Sequence, residues 1–458
     1  MRIVNLNPDS DIGASAWLAE IDGHRLLMDA GTHPKRDGYP SLPLYKLIHD
    51  EPLDAIAITH CHHDHVGSLP IAVRDNPRAH VLMSELSYFL VERVLHNSVN
   101  VMKRQRDELG ITEYPLFSHR EVDDIASVFK GYRYNREIEW AAFEELKKGE
   151  GSPTLEFHDA GHALGSAGIM VRGESESLFY TGDVCFRDQT ILRGARFEDV
   201  KADVLIMETT RGNRAPDPSV TRDSEIDRLI DSINEVQGSG GSVLIPSFAL
   251  GRTQEMLAVL ALAMKESRLK HQQVFIGGLG RVFTEIYDLE AHRVNRNHSN
   301  LELNDALDIN VVDPRQAENM KLNKGRLFVM TAGMLSENTA AHVIAARMLA
   351  DKRHGIFFVG YADPDTPGGR LRATQPDEKF FYSEAYGEIT HGCRVEQFDL
   401  TAHADRDELL DFVGRVEPRK VVLGHGDEEA RTWFAENIRS TYPRTTVCQP
   451  GPGEAIEV

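Results

Sequence analysis

The sequence predicts an α/β protein in which one domain is interrupted by a second α/β domain with a mostly parallel sheet. Three observations predict it. At 458 residues the chain is long for a single core, and that length favours two or three domains. Up to about Arg211 the chain reads mostly as short strands and hairpins; beyond it, apolar strands ending near glycine alternate with helical stretches, the rhythm of βαβ units. From about Gly387 strands return. The expected division is an outer domain of residues 1–210 and 396–458 with residues 211–395 inserted.

Each element has its own signal. "SAWLAEI" and "RLLMDAG" flank Asp22-Gly23, a hairpin turn pair. "LDAIAIT" is a short apolar run that fits a buried strand. From Glu85 to about Trp140 the pattern turns charged and helical. "TLEFHDAGH", "AGIMVRGESESLFYTGDV" and "DVLIMETT" restore strands. In "DSEIDRLIDSINEV", Ile226, Leu229, Ile230 and Ile233 share one helical face. "SVLIPSFALG", "QVFIGGLG", "RLFVMTAG" and "GIFFVGYA" are the strands of the insert, and "RTQEMLAVLALAMKES" and "NTAAHVIAARMLAD" are helices between them. "GCRVEQFDLTAHAD", "KVVLGHGDEE" and "TTVCQPGPGEAIEV" close the outer domain, with Asp405 as a helix cap.

Composition excludes several classes. Apolar residues make up 41 %, an ordinary globular share, and no apolar run reaches the roughly 18–20 residues of a membrane span. "MRIVNLNPDSD" has no apolar signal region. Cys61, Cys185, Cys393 and Cys448 are scattered with no CxxC pair, which suits a reducing cytoplasm rather than a disulfide framework. The net charge is −20. An anionic substrate therefore needs a local cationic cleft.

The chemistry concentrates in "THCHHDHVGSLP", residues 59–70. His60, His62, Asp64 and His65 crowd one turn after a buried strand, and imidazole with carboxylate suits zinc. One such turn can offer His60 and His62 to one ion and Asp64 and His65 to its neighbour; His63 is expected to face solvent or support a ligand. Three further polar residues sit beside glycine at apolar strand ends: His162 in "DAGHALGSAG", Asp183 in "LFYTGDV" and His425 in "KVVLGHGDEE". Asp183, with two oxygens, is best placed to bridge.

Residues 59–70 match the HxHxDH motif of the metallo-β-lactamase superfamily, and "LLMDAG", "GHALGSAG" and "YTGDV" resemble its other strand-end motifs in order. That resemblance implies an αβ/βα four-layer sandwich with a dinuclear site on one edge, and Asp29 as the residue that orients the ligand turn. "DVLIMETT", "LTAHAD" and "VLGHGDEE" resemble the three motifs of the β-CASP subfamily of nucleases, which includes messenger-RNA 3′-end cleavage factors. "PSFALGRTQEML", "TAGML" and "GYADPDTPGGRL" resemble its inserted cassette. The resemblance implies Glu208, His403 and His425 as the three motif residues. A histidine at the third position is the form seen in RNA-processing members. Two stretches depart from the pattern near the expected substrate path: "ETTRG" carries Arg211 where tyrosine is usual, and "GGLGRVFTEIY" replaces a Ser-Pro type turn.

The expected function is a zinc-dependent ribonuclease, endonucleolytic or 5′-exonucleolytic, acting on single-stranded RNA. Two zinc ions, one held by His60, His62 and His162 and the other by Asp64, His65 and His425, would share Asp183 and a bridging water that serves as nucleophile once deprotonated. Asp64 would orient it or accept its proton, and His403, kept charged by Glu208, would protonate the leaving oxygen. Arg252, Arg370 and Arg372 are candidate phosphate contacts, as are the N–H groups of "IGGLGR" and "TPGGR". Target selection would fall to a partner protein or a second copy of the chain. The rival readings are a dinuclear zinc hydrolase of DNA or of a small phosphoester or thioester, which the acidic charge suits, and a scaffold without activity, which the complete ligand set opposes.

Overall fold

A computed structural model describes residues 1–9, 11–146, 153–322 and 325–458. The chain forms two compact units: one of Met1–Asp188, Gly194–Pro216 and His403–Val458, the other of Gln189–Arg193 and Asp217–Ala402. The insert thus runs to Ala402 rather than to 395. The reason is strand Arg394–Gln397, which pairs in parallel with Gly355–Phe358 and so belongs to the insert's sheet.

The first unit is built on two seven-stranded sheets. One runs, in spatial order, Ala455–Glu457, Arg2–Asn5, Trp17–Ile21, His24–Met28, Ala55–Ile58, His80–Ser84 and Phe129–Tyr132; the other runs Thr446–Cys448, Lys420–Gly424, Val204–Glu208, Ser177–Tyr180, Ala167–Arg172, Thr154–Asp159 and Glu137–Glu139. Asp22 and Gly23 both take positive φ, 50° and 82°, as a tight hairpin turn requires. The inner faces meet in one core that includes Trp17, Met28, Leu155, Phe157, Ile169, Leu178, Ile206 and Val422. Helix Glu85–Leu109 packs on the outer face of the first sheet. Helices Arg406–Val416 and Glu428–Thr441 cover the second through Leu409, Phe412, Phe434 and Ile438. Helix, sheet, sheet and helix make the four expected layers; each such buried aromatic or aliphatic side chain contributes about 1.5–3 kcal/mol of transfer free energy.

The helical reading of residues 85–140 holds only in part. The long helix ends at Gly110, whose φ is 72°, and after the short helix His119–Ile125 come strands Phe129–Tyr132 and Glu137–Glu139. Two strands this short, buried on few residues, carry too little alternation to stand out beside the charged helix.

The second unit holds a six-stranded parallel sheet in the order Ile309–Val311, Val274–Ile276, Leu327–Met330, Val243–Pro246, Gly355–Phe358 and Arg394–Gln397. Helix Arg222–Gly238 buries Leu229, Ile230 and Ile233; Leu244, Phe328, Met330, Ile344 and Phe358 form a second core. The two glycine-rich stretches lie at the starts of helices Gly278–Leu289 and Pro367–Ala373. Among the described residues no helix is long and apolar enough to cross a membrane.

Candidate metal centre

The centre forms where parallel strands of the first unit end. Strand Ala55–Ile58 is wholly buried, and at its end Thr59 donates its N–H to Asp29 Oδ1 at 2.8 Å. The chain then winds one helical turn, His63–Val66. Ser15, Ala30 and Thr32 donate backbone N–H groups to Asp64, His65 and His63 carbonyls at 2.8, 2.8 and 3.1 Å, which clamps the turn from outside. Only glycine fits at position 31, because a Cβ there would lie 1.8 Å from the Asp64 carbonyl oxygen.

Register brings the remaining residues to the same edge. Val204–Glu208 pairs in parallel with Lys420–Gly424, with Glu208 opposite Gly424, so Glu208 and His425 emerge together. His425 and Asp29 sit in the left-handed region with φ of 49° and 62°. Non-glycine residues held there cost of order 1 kcal/mol or more and cluster at functional sites.

The seven sequence-nominated metal ligands converge. His60, His62, His162 and Asp183 each offer a donor atom within 4.8 Å of one another, as do Asp64, His65 and His425. Asp183 lies between the sets. Its Oδ2 is 3.6 Å from His60 Nε2 and 3.7 Å from His162 Nε2, and its Oδ1 is 3.4 Å from His65 Nε2 and 3.3 Å from His425 Nδ1. His425 Nε2 is 3.2 Å from both Asp64 Oδ2 and His65 Nε2. The donor set fits divalent zinc, and His60 Nε2, buried and without a hydrogen-bond partner among the described residues, is the mark of a nitrogen placed for a ligand other than protein.

Neighbours fix which nitrogen faces inward. His65 Nδ1 donates to Asp29 Oδ2 at 2.8 Å, leaving Nε2 for the centre. The same carboxylate accepts from Thr59 Oγ1 at 2.9 Å and from Tyr180 Oη at 2.9 Å. Carboxylate-held histidines of this kind are the usual supports of metal ligands. Thr210 Oγ1 lies 3.2 Å from His425 Nδ1.

Electrostatics follow the geometry. Burial, joined by the neighbouring imidazoles and against the charge of Asp183, holds the His60 pKa well below the ordinary histidine range. Burial opposes ionisation of Asp183, yet the surrounding histidines, His425 first, keep it charged. Beside the centre, His403 Nδ1 lies 3.1 Å from Glu208 Oε2, and its ring centroid is 4.6 Å from that of His162. Burial disfavours the His403 cation, but the charge and hydrogen bond of Glu208 outweigh it and raise its pKa. Glu208 is itself fixed by the Val184 N–H at 2.6 Å.

The other nominated residues lie elsewhere. His63 is exposed and shares a hydrogen bond of 2.5 Å with Thr32 Oγ1. Arg252 is buried at 7 % exposure, and its guanidinium donates to the Leu400 carbonyl at 2.6 Å and to Gln189. Arg370 donates to the carbonyls of Asp365 and Tyr382, and Arg372 to Gln397; both remain partly exposed. Tyr180, Thr210 and Arg211 were not nominated for roles, and Asp405 only as a helix cap, because each acts on a residue remote in sequence and no local spacing marks that contact.

A cage of imidazoles and carboxylates on strand ends, fed by a buried aspartate, defines a metallo-hydrolase scaffold, and the chain belongs to the metallo-β-lactamase superfamily, whose model matches residues 10–247. Within that superfamily it is of the β-CASP branch: a Beta-Casp domain matches residues 253–371 and a Zn-dependent metallo-hydrolase RNA specificity domain residues 389–448. Similar curated proteins include cleavage and polyadenylation specificity factor subunit 3 of Dictyostelium discoideum, 25 % identical over 98 % of this chain, and endoribonuclease YSH1 of Candida glabrata, 25 % identical over 96 %. The chain spans 56 % of the length of each. Ribonuclease TTHA0252 of Thermus thermophilus is 29 % identical over 94 % of both chains. A crystal structure of a protein of unknown function from Enterococcus faecalis V583 matches 100 % of this chain and 99 % of its own at a TM-score of 0.57 and 13 % identity, a likeness of fold.

Proposed function

We propose that this protein is a ribonuclease that hydrolyses phosphodiester bonds of single-stranded RNA with two zinc ions. His60, His62, His162 and Asp183 would hold one, and Asp64, His65, His425 and the shared Asp183 the other. Zinc bound there supplies Lewis acidity, lowering the pKa of water toward neutrality and offsetting charge on phosphoryl oxygens. The chain's own groups do the rest. Asp64, at the edge of the cage, orients the nucleophile or takes its proton. Glu208 accepts from His403 Nδ1, so the charged ring presents its other nitrogen as the donor to the leaving oxygen.

One observation carries the reading: a hydrogen-bonded histidine–glutamate pair stands directly beside an imidazole–carboxylate cage. A cage alone serves many hydrolases; a positioned acid beside it serves the expulsion of a poor alkoxide leaving group. RNA as substrate is supported by the RNA specificity domain match and by the ribonuclease names of relatives. Arg370 and Arg372 remain as candidate phosphate contacts, and target selection is assigned to a partner protein or a second copy. The net charge of −20 favours a second reading, a small phosphoester or thioester as substrate.

The test incubates purified protein with end-labelled single-stranded RNA, matched DNA and small esters, with and without chelator. Chelator-sensitive shortening of RNA is expected. Turnover of esters with every nucleic acid intact would favour the second reading and overturn the first.

A further inference from the structure

Arg211 lies in "ETTRG", directly after strand Val204–Glu208, and its surroundings explain its use. It lies three residues after Glu208, and its Nε is 3.0 Å from Asp405 Oδ1. Asp405 lies two residues after His403, and its side chain is 4 % exposed. The other oxygen of Asp405 meets Arg187, four residues beyond Asp183, and Arg187 Nε also reaches Glu408 at 2.9 Å. One buried carboxylate is therefore gripped by cations from two chain segments, those that carry the bridging aspartate and the motif glutamate. The segment it belongs to carries the histidine acid. Backbone bonds complete the frame: Ala404 N–H donates to the Val184 carbonyl at 2.7 Å, and Asp405 N–H to Glu408 at 2.9 Å, opening helix Arg406–Val416.

We infer that Arg211 is a positioning residue: through Asp405 it fixes the segment of His403 against Glu208. The inference rests on the ribonuclease reading for its consequence in rate, though not for the contact itself. Arg211 is mostly buried, at 12 % side-chain exposure, and engaged with Asp405, so a direct grip on substrate is not its work. The pair is largely withdrawn from water, with side-chain exposures of 12 % and 4 %, and removing one member of a buried ion pair strands the other as an uncompensated charge. A misplacement of a catalytic group by about 1 Å costs up to about 100-fold in rate, whereas deleting a general acid costs about 100- to 10,000-fold.

The test compares Arg211→Met, Arg211→Lys and Asp405→Asn in the zinc-loaded full chain. Arg211→Met is expected to lower kcat on single-stranded RNA about 10- to 100-fold, with KM within about twofold and zinc content unchanged, and Arg211→Lys to recover most of that loss. In a His403→Ala background, Arg211→Met should add less than about twofold, since a residue acting through His403 has nothing left to position. A second readout does not depend on RNA cleavage. In selectively labelled protein, the imidazole N–H signal of the His403–Glu208 hydrogen bond should broaden or vanish in Arg211→Met and return in Arg211→Lys. A rise in KM at constant kcat, full multiplicative loss in the His403→Ala background, or an unchanged imidazole signal would overturn the inference. Wild-type inactivity on RNA with the signal behaving as expected would overturn the ribonuclease reading and leave Arg211's role standing.

Discussion

Asp29→Asn tests how the cage is set before any metal arrives. The carboxylate is fully buried. Its Oδ1 accepts from the Thr59 N–H at 2.8 Å and its Oδ2 from His65 Nδ1 at 2.8 Å and Tyr180 Oη at 2.9 Å. An asparagine is the same size, but its NH2 group must face either the Thr59 amide or the His65–Tyr180 side. With the amide oxygen kept on Thr59, His65 is driven to the other tautomer, and a proton then sits on Nε2, facing His425 Nε2 at 3.2 Å and Asp183 Oδ1 at 3.4 Å. Losing a carboxylate that supports a ligand histidine costs about 10- to 100-fold in metal affinity, or about 1.4–2.7 kcal/mol. The two charge-assisted hydrogen bonds lost at Oδ2 add about 3 kcal/mol of destabilisation to the metal-free fold. The assay titrates zinc against a fluorescent chelator and counts bound metal after dialysis. Binding by the Asp64–His65–His425 set should weaken by that factor, with metal content drifting from two toward one per chain. An unchanged competition curve and two tightly held ions would refute the claim that Asp29 presents His65 Nε2 to the centre.

Other perturbations separate catalysis, scaffold and stability. His403→Ala should lower RNA cleavage about 100- to 10,000-fold while zinc content, read by mass spectrometry, stays at the wild-type level; loss of zinc would make His403 a ligand. Gly31→Ala forces a Cβ against the Asp64 carbonyl oxygen, so it should lower the melting temperature and the zinc content together. In the insert, His342 stacks on Tyr382 at 4.7 Å, and burial pushes its pKa down to about 4. The fold thus holds it neutral: its contribution is fully present above about pH 6.5 and is lost as pH falls toward 4, because the unfolded chain binds the proton first. The loss amounts to about 1–2 kcal/mol once partial hydration is allowed for, and denaturant titrations of His342→Phe should show a correspondingly flatter slope across that window.

The chain's own spacing made part of this site readable. His60, His62, Asp64 and His65 share one turn, so short-range pattern alone exposed them. His162, Asp183 and His425 were marked by a repeated context, an apolar strand with glycine beside the polar residue, and the structure brings all seven together. The parallel insert followed from strand–helix rhythm, and the four-layer fold from the resemblance that the strand-end motifs carry. What escaped depends on partners distant in sequence. Arg252 follows a glycine in an exposed-looking stretch, yet its guanidinium is spent on the Leu400 carbonyl and Gln189 inside the insert. The grip of Arg211 on Asp405 carries no local signature. The end of the insert, expected at about 395, falls at Ala402 in the structure, because strand Arg394–Gln397, whose sequence looks the same whichever sheet it joins, pairs with Gly355–Phe358.

The central claim is that strand-end side chains from distant segments cage a pair of zinc ions. Anomalous diffraction from zinc-loaded crystals, collected on both sides of the zinc edge, tests it most directly. Two peaks are expected: one within coordination distance of His60, His62 and His162, the other of Asp64, His65 and His425, with Asp183 between them. No peak at this edge of the sheets, or zinc bound only elsewhere in the chain, would contradict the account.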